Sequence, residues 1–167
     1  SDAERHTRKD LLESNPGLII LRAYTKMYAV PGVRFGWCMT ADAALIEKLY
    51  HAGQPWNVSV IAQACAVAAA NELDWAAETA KRIAEERRFL SDGLAACGLT
   101  VFPGEANFLL FRSNDTGLHE KLAEHGIMIR NCDNYRGLSA GYYRVAVKTR
   151  EASKCLLNAI KLIMENG

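Results

Sequence analysis

Arg22-Ala23-Tyr24-Thr25-Lys26-Met27-Tyr28-Ala29-Val30-Pro31-Gly32-Val33-Arg34-Phe35-Gly36-Trp37 is the stretch that decides how the rest of the chain is read. A lysine follows an apolar run, a Pro-Gly pair turns the chain, and an arginine returns beside a second glycine. Such a loop can hold one covalent partner and one anion. A lysine amine forms Schiff bases with carbonyl compounds when burial or a neighbouring cation leaves part of it unprotonated. An arginine stays charged and grips phosphate with a planar fork. Spacing alone leaves open a second reading, in which Lys26 is a solvated loop lysine and Arg34 a surface charge.

A second constellation lies late in the chain. Gly126-Ile127-Met128-Ile129-Arg130-Asn131-Cys132-Asp133-Asn134-Tyr135-Arg136-Gly137-Leu138 is followed by Tyr142-Tyr143-Arg144-Val145-Ala146-Val147. One arginine leaves a strand and another lies inside the next. Period-2 alternation sends Tyr143, Val145 and Val147 to one face of that strand, and Arg144 with Ala146 to the other. An arginine beside a small residue on a strand can reach a cleft and hold a carboxylate through paired charge-assisted hydrogen bonds. A structural arginine paired with an Asp or Glu fits the same pattern.

Outward from these segments, the chain reads as an α/β protein. Asp2 to Ser14 is polar, a helix or loop, and Asn15-Pro16-Gly17 is a turn. Leu18 to Leu21 is a continuous apolar run, as in a parallel strand buried on both faces, and Phe35 to Met39 is a second short strand. Ala41 to Ala52 reads as a helix capped by Thr40, and Val60 to Leu73 as an Ala-rich interior helix. Asp74 to Cys97 is a long charged helix with Ile83, Phe89, Leu90 and Leu94 inward and Gly98 placed to end it. A boundary is expected near Asp74 to Glu85, dividing residues 1–80 from 81–167. Beyond it come strands at Leu99–Phe102, Asn107–Phe111, Ile127–Arg130 and Tyr143–Val147, and helices at Leu118–His125 and Arg150–Met164.

Composition narrows the function classes. The 167 residues are half apolar, enough for an ordinary core, and the net charge of +1 does not favour nucleic acid or an anionic membrane as a partner. No apolar run reaches the roughly 18 residues of a spanning helix. Cys38, Cys65, Cys97, Cys132 and Cys155 are scattered, with no C-x-x-C pair, and read as thiols in a reducing cytoplasm. His6, His51, His119 and His125 lack metal-ligand spacing, so no metal is expected.

The string Thr25-Lys26 through Gly36 resembles the cofactor-lysine segment of the fold-type I pyridoxal phosphate enzymes, the aminotransferase class I/II superfamily. The resemblance implies that Lys26 binds pyridoxal 5'-phosphate covalently, with Thr25 beside it, and that Arg34 holds the cofactor phosphate. The family usually carries a serine where this chain has Ala23. It also implies that Arg144 holds a substrate α-carboxylate and that Asn107 lies near the substrate. In members acting on phosphorylated substrates, such as histidinol-phosphate aminotransferases and threonine-phosphate decarboxylases, the position of Arg130 binds the substrate phosphate. Ile-Arg-x-Cys-x-Asn-Tyr-x-Gly-Leu and Tyr-Tyr-Arg-Val-Ala look most like the decarboxylase branch, as does Pro55-Trp56-Asn57-Val58. Arg136 stands where that branch often has proline.

By this resemblance residues 1–80 are the C-terminal part of the large cofactor-binding domain and residues 81–167 the small C-terminal domain. The family's N-terminal half, with the aspartate that pairs the pyridine nitrogen, is not found, so the chain is expected to be a fragment, inactive alone. The complete protein is expected to be a cytoplasmic homodimer that decarboxylates L-threonine O-3-phosphate in cobalamin biosynthesis. A histidinol-phosphate type of aminotransferase is the alternative. A cofactor-free interaction domain is a third reading, from a different class.

Overall fold

The computed structural model describes residues 7–165, and the chain forms two compact units, Ser1–Glu78 and Thr79–Gly167. Of the polar opening segment, residues 2–6 lie outside the described residues, and Lys9–Leu11 forms a single 3-10 turn. The Asn15-Pro16-Gly17 turn closes through the Leu18 N–H donating to the Asn15 carbonyl at 2.9 Å.

In the first unit β1 (Ile20–Ala23) pairs with β2 (Gly36–Met39), Arg22 opposite Trp37 and Ala23 opposite Gly36. The pairing is antiparallel, not parallel, and the strand is not buried on both faces: Leu21 is 78% exposed. An apolar run marks burial only where other layers cover it, and among the described residues β1 has β2 as its one paired strand. Two helices follow, α1 (Ala43–Ala52) and α2 (Val60–Ala70). The cap of α1 is Asp42, whose carboxylate accepts the Leu45 N–H at 3.1 Å. Thr40, expected in that role, instead accepts the Asp42 N–H at 3.3 Å. Asp at an N-cap satisfies an orphan donor and adds favourable charge at the helix start. The Ala-rich α2 is not an interior helix here: Ala62 and Ala69 are buried, whereas Val60, Ile61 and Val67 are exposed.

Helix α3 (Leu73–Ala96) begins in the first unit and continues into the second. Its far end stops at Gly98, which takes the left-handed conformation (φ 78°) that a side chain would resist. The second unit is built on a four-stranded antiparallel sheet ordered β3-β4-β6-β5, comprising β3 (Thr100–Phe102), β4 (Phe108–Arg112), β5 (Arg130–Asn131) and β6 (Tyr142–Ala146). Helices α4 (Leu118–Glu124) and α5 (Arg150–Glu165) complete it. The expected strand Ile127–Arg130 is shorter and later, because only Arg130 and Asn131 find partners on β6.

Alternation along β4 and β6 splits the sheet into two faces. Leu109, Phe111 and Tyr143 point into a core with Leu90 and Leu94 of α3, Leu118 and Leu122 of α4, and Leu156, Leu157, Ile160 and Ile163 of α5. Leu94, Phe111, Tyr143 and Ile160 are completely buried. At the crossing of α3 and α5 the helices come so close that a methyl group on Gly93 would run into both Cδ atoms of Leu157. The Tyr143 phenol spans the core to donate to the carbonyls of Thr116 at 2.6 Å and Asp115 at 3.1 Å. Burial, aided by the Asp115 carboxylate, pushes its pKa up, so it stays a donor.

Candidate active site

The lysine loop grows out of the β1–β2 ladder. After Ala23 the chain turns, with the Tyr28 N–H donating to the Tyr24 carbonyl at 3.2 Å and the Ala29 N–H to the Lys26 carbonyl at 3.3 Å. Pro31–Val33 forms a 3-10 turn, bracketed by two residues in the left-handed region, Ala29 (φ 53°) and Arg34 (φ 58°). Neither is glycine, so each stores strain of about 1–3 kcal/mol, a cost that concentrates at ligand-binding loops. Tyr24 meets Tyr28 edge-on at 5.2 Å and Phe35 at 5.9 Å, and Tyr28 stacks on Trp75 at 5.5 Å. Tyr28 is thus part of the aromatic packing that stiffens the loop.

On that frame Lys26 is exposed and Thr25 half-buried. Arg34 is exposed, with one N–H donated to the Pro31 carbonyl at 2.9 Å, a bond within its own turn that orients the guanidinium and leaves the rest of its fork for an anion. An amine for a carbonyl compound and a guanidinium for a phosphate on one strained loop form a donor set that fits pyridoxal 5'-phosphate.

The second unit supplies a different set. Arg144 on β6 stands directly opposite Arg130 on β5 and, on its other side, opposite Leu110 of β4. Direct cross-strand partners have Cβ atoms about 4.5–5.5 Å apart, so the two guanidinium groups share the sheet face opposite the core. Arg112 and Tyr142 lie on the same face by alternation. Each arginine rests against a ring: Arg144 over Phe108 at 5.0 Å, Arg130 over Tyr135 at 5.8 Å, and Arg112 over Tyr142 at 5.8 Å. Among the described residues none of the three is hydrogen-bonded or ion-paired to a carboxylate. Arg130 and Arg144 therefore do not have the carboxylate partners that a structural arginine would.

Between the two strands lies buried Cys132, its N–H donated to the Tyr142 carbonyl at 2.9 Å. Burial pushes its thiol up, against the pull of Arg144 and Arg130, so it is not a reactive thiolate. Asn107 is exposed at the end of the sheet, where its carbonyl accepts the Val147 N–H at 2.9 Å.

The structure thus groups Thr25, Lys26 and Arg34 in one unit, and Arg130 and Arg144, with Asn107 at the sheet end, in the other. Sequence reasoning missed the rings of Phe108, Tyr135 and Tyr142 and the third arginine, Arg112. Alternation on β6 could have placed Tyr142 beside Arg144; no local signal pairs Arg130 with Tyr135. Among the described residues no cluster of His, Cys, Asp and Glu could hold a metal ion, and no helix is long and apolar enough to cross a membrane.

Known proteins carry the same framework. The threonine-phosphate decarboxylase of Salmonella typhimurium is 35% identical over 156 residues, covering 92% of this chain and 43% of that protein. A histidinol-phosphate aminotransferase of Nitratidesulfovibrio vulgaris is 30% identical over 168 residues, covering 99% of this chain and 44% of that protein. The crystal structure of the histidinol-phosphate aminotransferase from Clostridium acetobutylicum superimposes with a TM-score of 0.88 at 29% identity, over 95% of this chain and 49% of that one. The chain thus spans less than half the length of these relatives. Residues 2–160, which include both the lysine loop and the arginine pair, match the family described as aminotransferase class I and II, and to that family the chain belongs.

Proposed function

We propose that the whole protein is a pyridoxal 5'-phosphate enzyme that decarboxylates L-threonine O-3-phosphate, with Ser1–Glu78 belonging to its large cofactor-binding domain and Thr79–Gly167 forming its small one. The observation that carries the substrate class in this reading is the direct cross-strand pairing of Arg130 with Arg144, two arginines free of carboxylate partners on one sheet face. A substrate with a phosphate at one end and an α-carboxylate at the other matches them. The bound cofactor supplies the electron sink that weakens one bond at the substrate α-carbon. Lys26 anchors the cofactor through Nζ, and Arg34 holds its phosphate. Arg144 takes the α-carboxylate and Arg130 the phosphate, and together they decide which α-carbon bond is presented for cleavage. Carbon dioxide leaves with the carboxylate carbon, and Lys26, whose Nζ is set free when the substrate amine takes its place on the cofactor, would return a proton to the α-carbon from its ammonium form.

The aminotransferase reading uses the same residues and is favoured by the similarity to histidinol-phosphate aminotransferases. There Lys26 removes the α-proton and the carboxylate stays. By family resemblance alone, the Asn131–Tyr143 segment between the arginines agrees in length with the decarboxylase pattern better than with the slightly shorter aminotransferase one. By the same family likeness the active form is a cytoplasmic homodimer working in cobalamin synthesis. Incubating the whole protein with threonine phosphate, and separately with histidinol phosphate plus 2-oxoglutarate, decides between the reactions. Carbon dioxide from the first supports decarboxylation; glutamate from the second without carbon dioxide from the first establishes the aminotransferase. A protein that stays colourless with pyridoxal phosphate and turns over neither would be the cofactor-free interaction domain.

A further inference from the structure

Arg130 is held differently from the other two arginines on its sheet face. Arg144 and Arg112 rest on Phe108 and Tyr142, rings whose places are fixed by the β4–β6 ladder. Arg130 sits on β5, a two-residue edge strand with a neighbour on one side only. Its ring comes from Tyr135, in the turn that leaves the sheet after Cys132. That turn is fixed at both ends. The Tyr135 N–H donates to the Cys132 carbonyl at 3.1 Å, the Leu138 N–H to the Tyr135 carbonyl at 3.0 Å, and Gly137 takes a φ of 88° that a side chain would resist. Cys132 anchors the base of the turn in the core.

We propose that Tyr135 is the positioning residue for Arg130, holding its guanidinium over the ring so that the group is already aimed when a phosphate monoester arrives. This rests on the assignment of Arg130 to the substrate phosphate made above. A carboxylate could hold the arginine more firmly, but it would occupy its N–H donors and cancel its charge. A ring face attracts the cation and takes neither. Among the described residues no further strand lies beyond β5 to limit the side chain, which leaves the ring as its restraint.

Steady-state kinetics of the whole, cofactor-loaded protein test this, using whichever of threonine phosphate and histidinol phosphate it turns over. For one exposed cation–π contact, Tyr135→Leu is expected to raise KM for the phosphorylated substrate roughly 2- to 5-fold, with kcat within about twofold. Tyr135→Phe keeps the ring and restores the wild-type KM. In an Arg130→Ala background Tyr135→Leu adds nothing further, and KM for the unphosphorylated amino acid does not move. The proposal is overturned if Arg130→Ala raises KM and Tyr135→Leu does not. It is equally overturned if Tyr135→Leu lowers kcat on all substrates or costs as much without Arg130, since either marks a structural role. If Arg130→Ala itself leaves KM unchanged, the phosphate assignment falls and takes this proposal with it.

Discussion

Arg130 and Arg144 stand opposite each other across the antiparallel pair of β5 and β6, like charges in the position where cross-strand neighbours interact most strongly. Such a pair repels unless an anion lies over it. Inorganic phosphate should therefore stabilise the folded chain. At a concentration ten times the dissociation constant the gain is about 1.4 kcal/mol, read as an upward shift of the unfolding temperature at constant ionic strength. Arg130→Ala should remove the shift. An equal shift with chloride would show only screening.

Asp115 gives the second unit an acid-side sensitivity. The Lys121 ammonium, hydrogen-bonded at 2.9 Å, holds its carboxyl below the ordinary aspartate value, with help from the Gly117 N–H and against partial burial. A depressed folded value means that the stabilisation is fully present above the unfolded aspartate value of about 3.9 and is lost as pH falls through the folded one. Since the pair is largely solvated, Asp115→Asn should cost at most about 1 kcal/mol at neutral pH. It should also flatten the fall in unfolding temperature below pH 4. An unchanged slope would remove Asp115 from the account.

The cysteines should separate by accessibility. Cys155 is exposed, whereas Cys132 is 2% exposed and its thiol is pushed up by burial. Iodoacetamide at neutral pH should label Cys155 within minutes and Cys132 only after denaturant is added. Mass mapping of labelled peptides reads this directly; early modification of Cys132 would mean that the β5–β6 edge opens readily.

Covalent attachment is the sharpest check on the lysine loop. Borohydride treatment of the whole, cofactor-loaded protein should fix the cofactor on Lys26, and Lys26→Ala should abolish both labelling and turnover. A label on any other lysine would displace the assignment. Arg34→Ala should weaken cofactor retention through the loss of a charge-assisted phosphate grip, roughly 1.5–3 kcal/mol or about 10- to 150-fold.

Helices and the face of Arg144 were legible in the sequence because both depend on local periodicity. Residues Leu73–Ala96 and Arg150–Glu165 carry their own 3.6-residue pattern, and alternation along Tyr142–Ala146 sets which side chains turn away from the core. The environment of the first unit was not legible. The runs around Leu21 and Val60 read as interior because they are apolar, yet burial depends on what lies against them. Register was also hidden: that Arg130 faces Arg144, rather than a residue one step away, is fixed by pairing between segments separated by a turn. The contact of Tyr135 with Arg130 follows from that turn's conformation and has no periodic signature.

The crossing of α3 over α5 leaves no room for a methyl group at position 93, where a Cβ would meet Leu157 Cδ2 at 2.9 Å and Cγ at 3.2 Å. Glycine costs a helix interior about 1 kcal/mol relative to alanine, so the close approach is kept against local preference. Positions 93 and 157 are therefore joined in their inheritance. Among descendants of this sequence alanine at 93 should be tolerated best where residue 157 is smaller or its side chain has turned aside, and the two columns of an alignment should vary together.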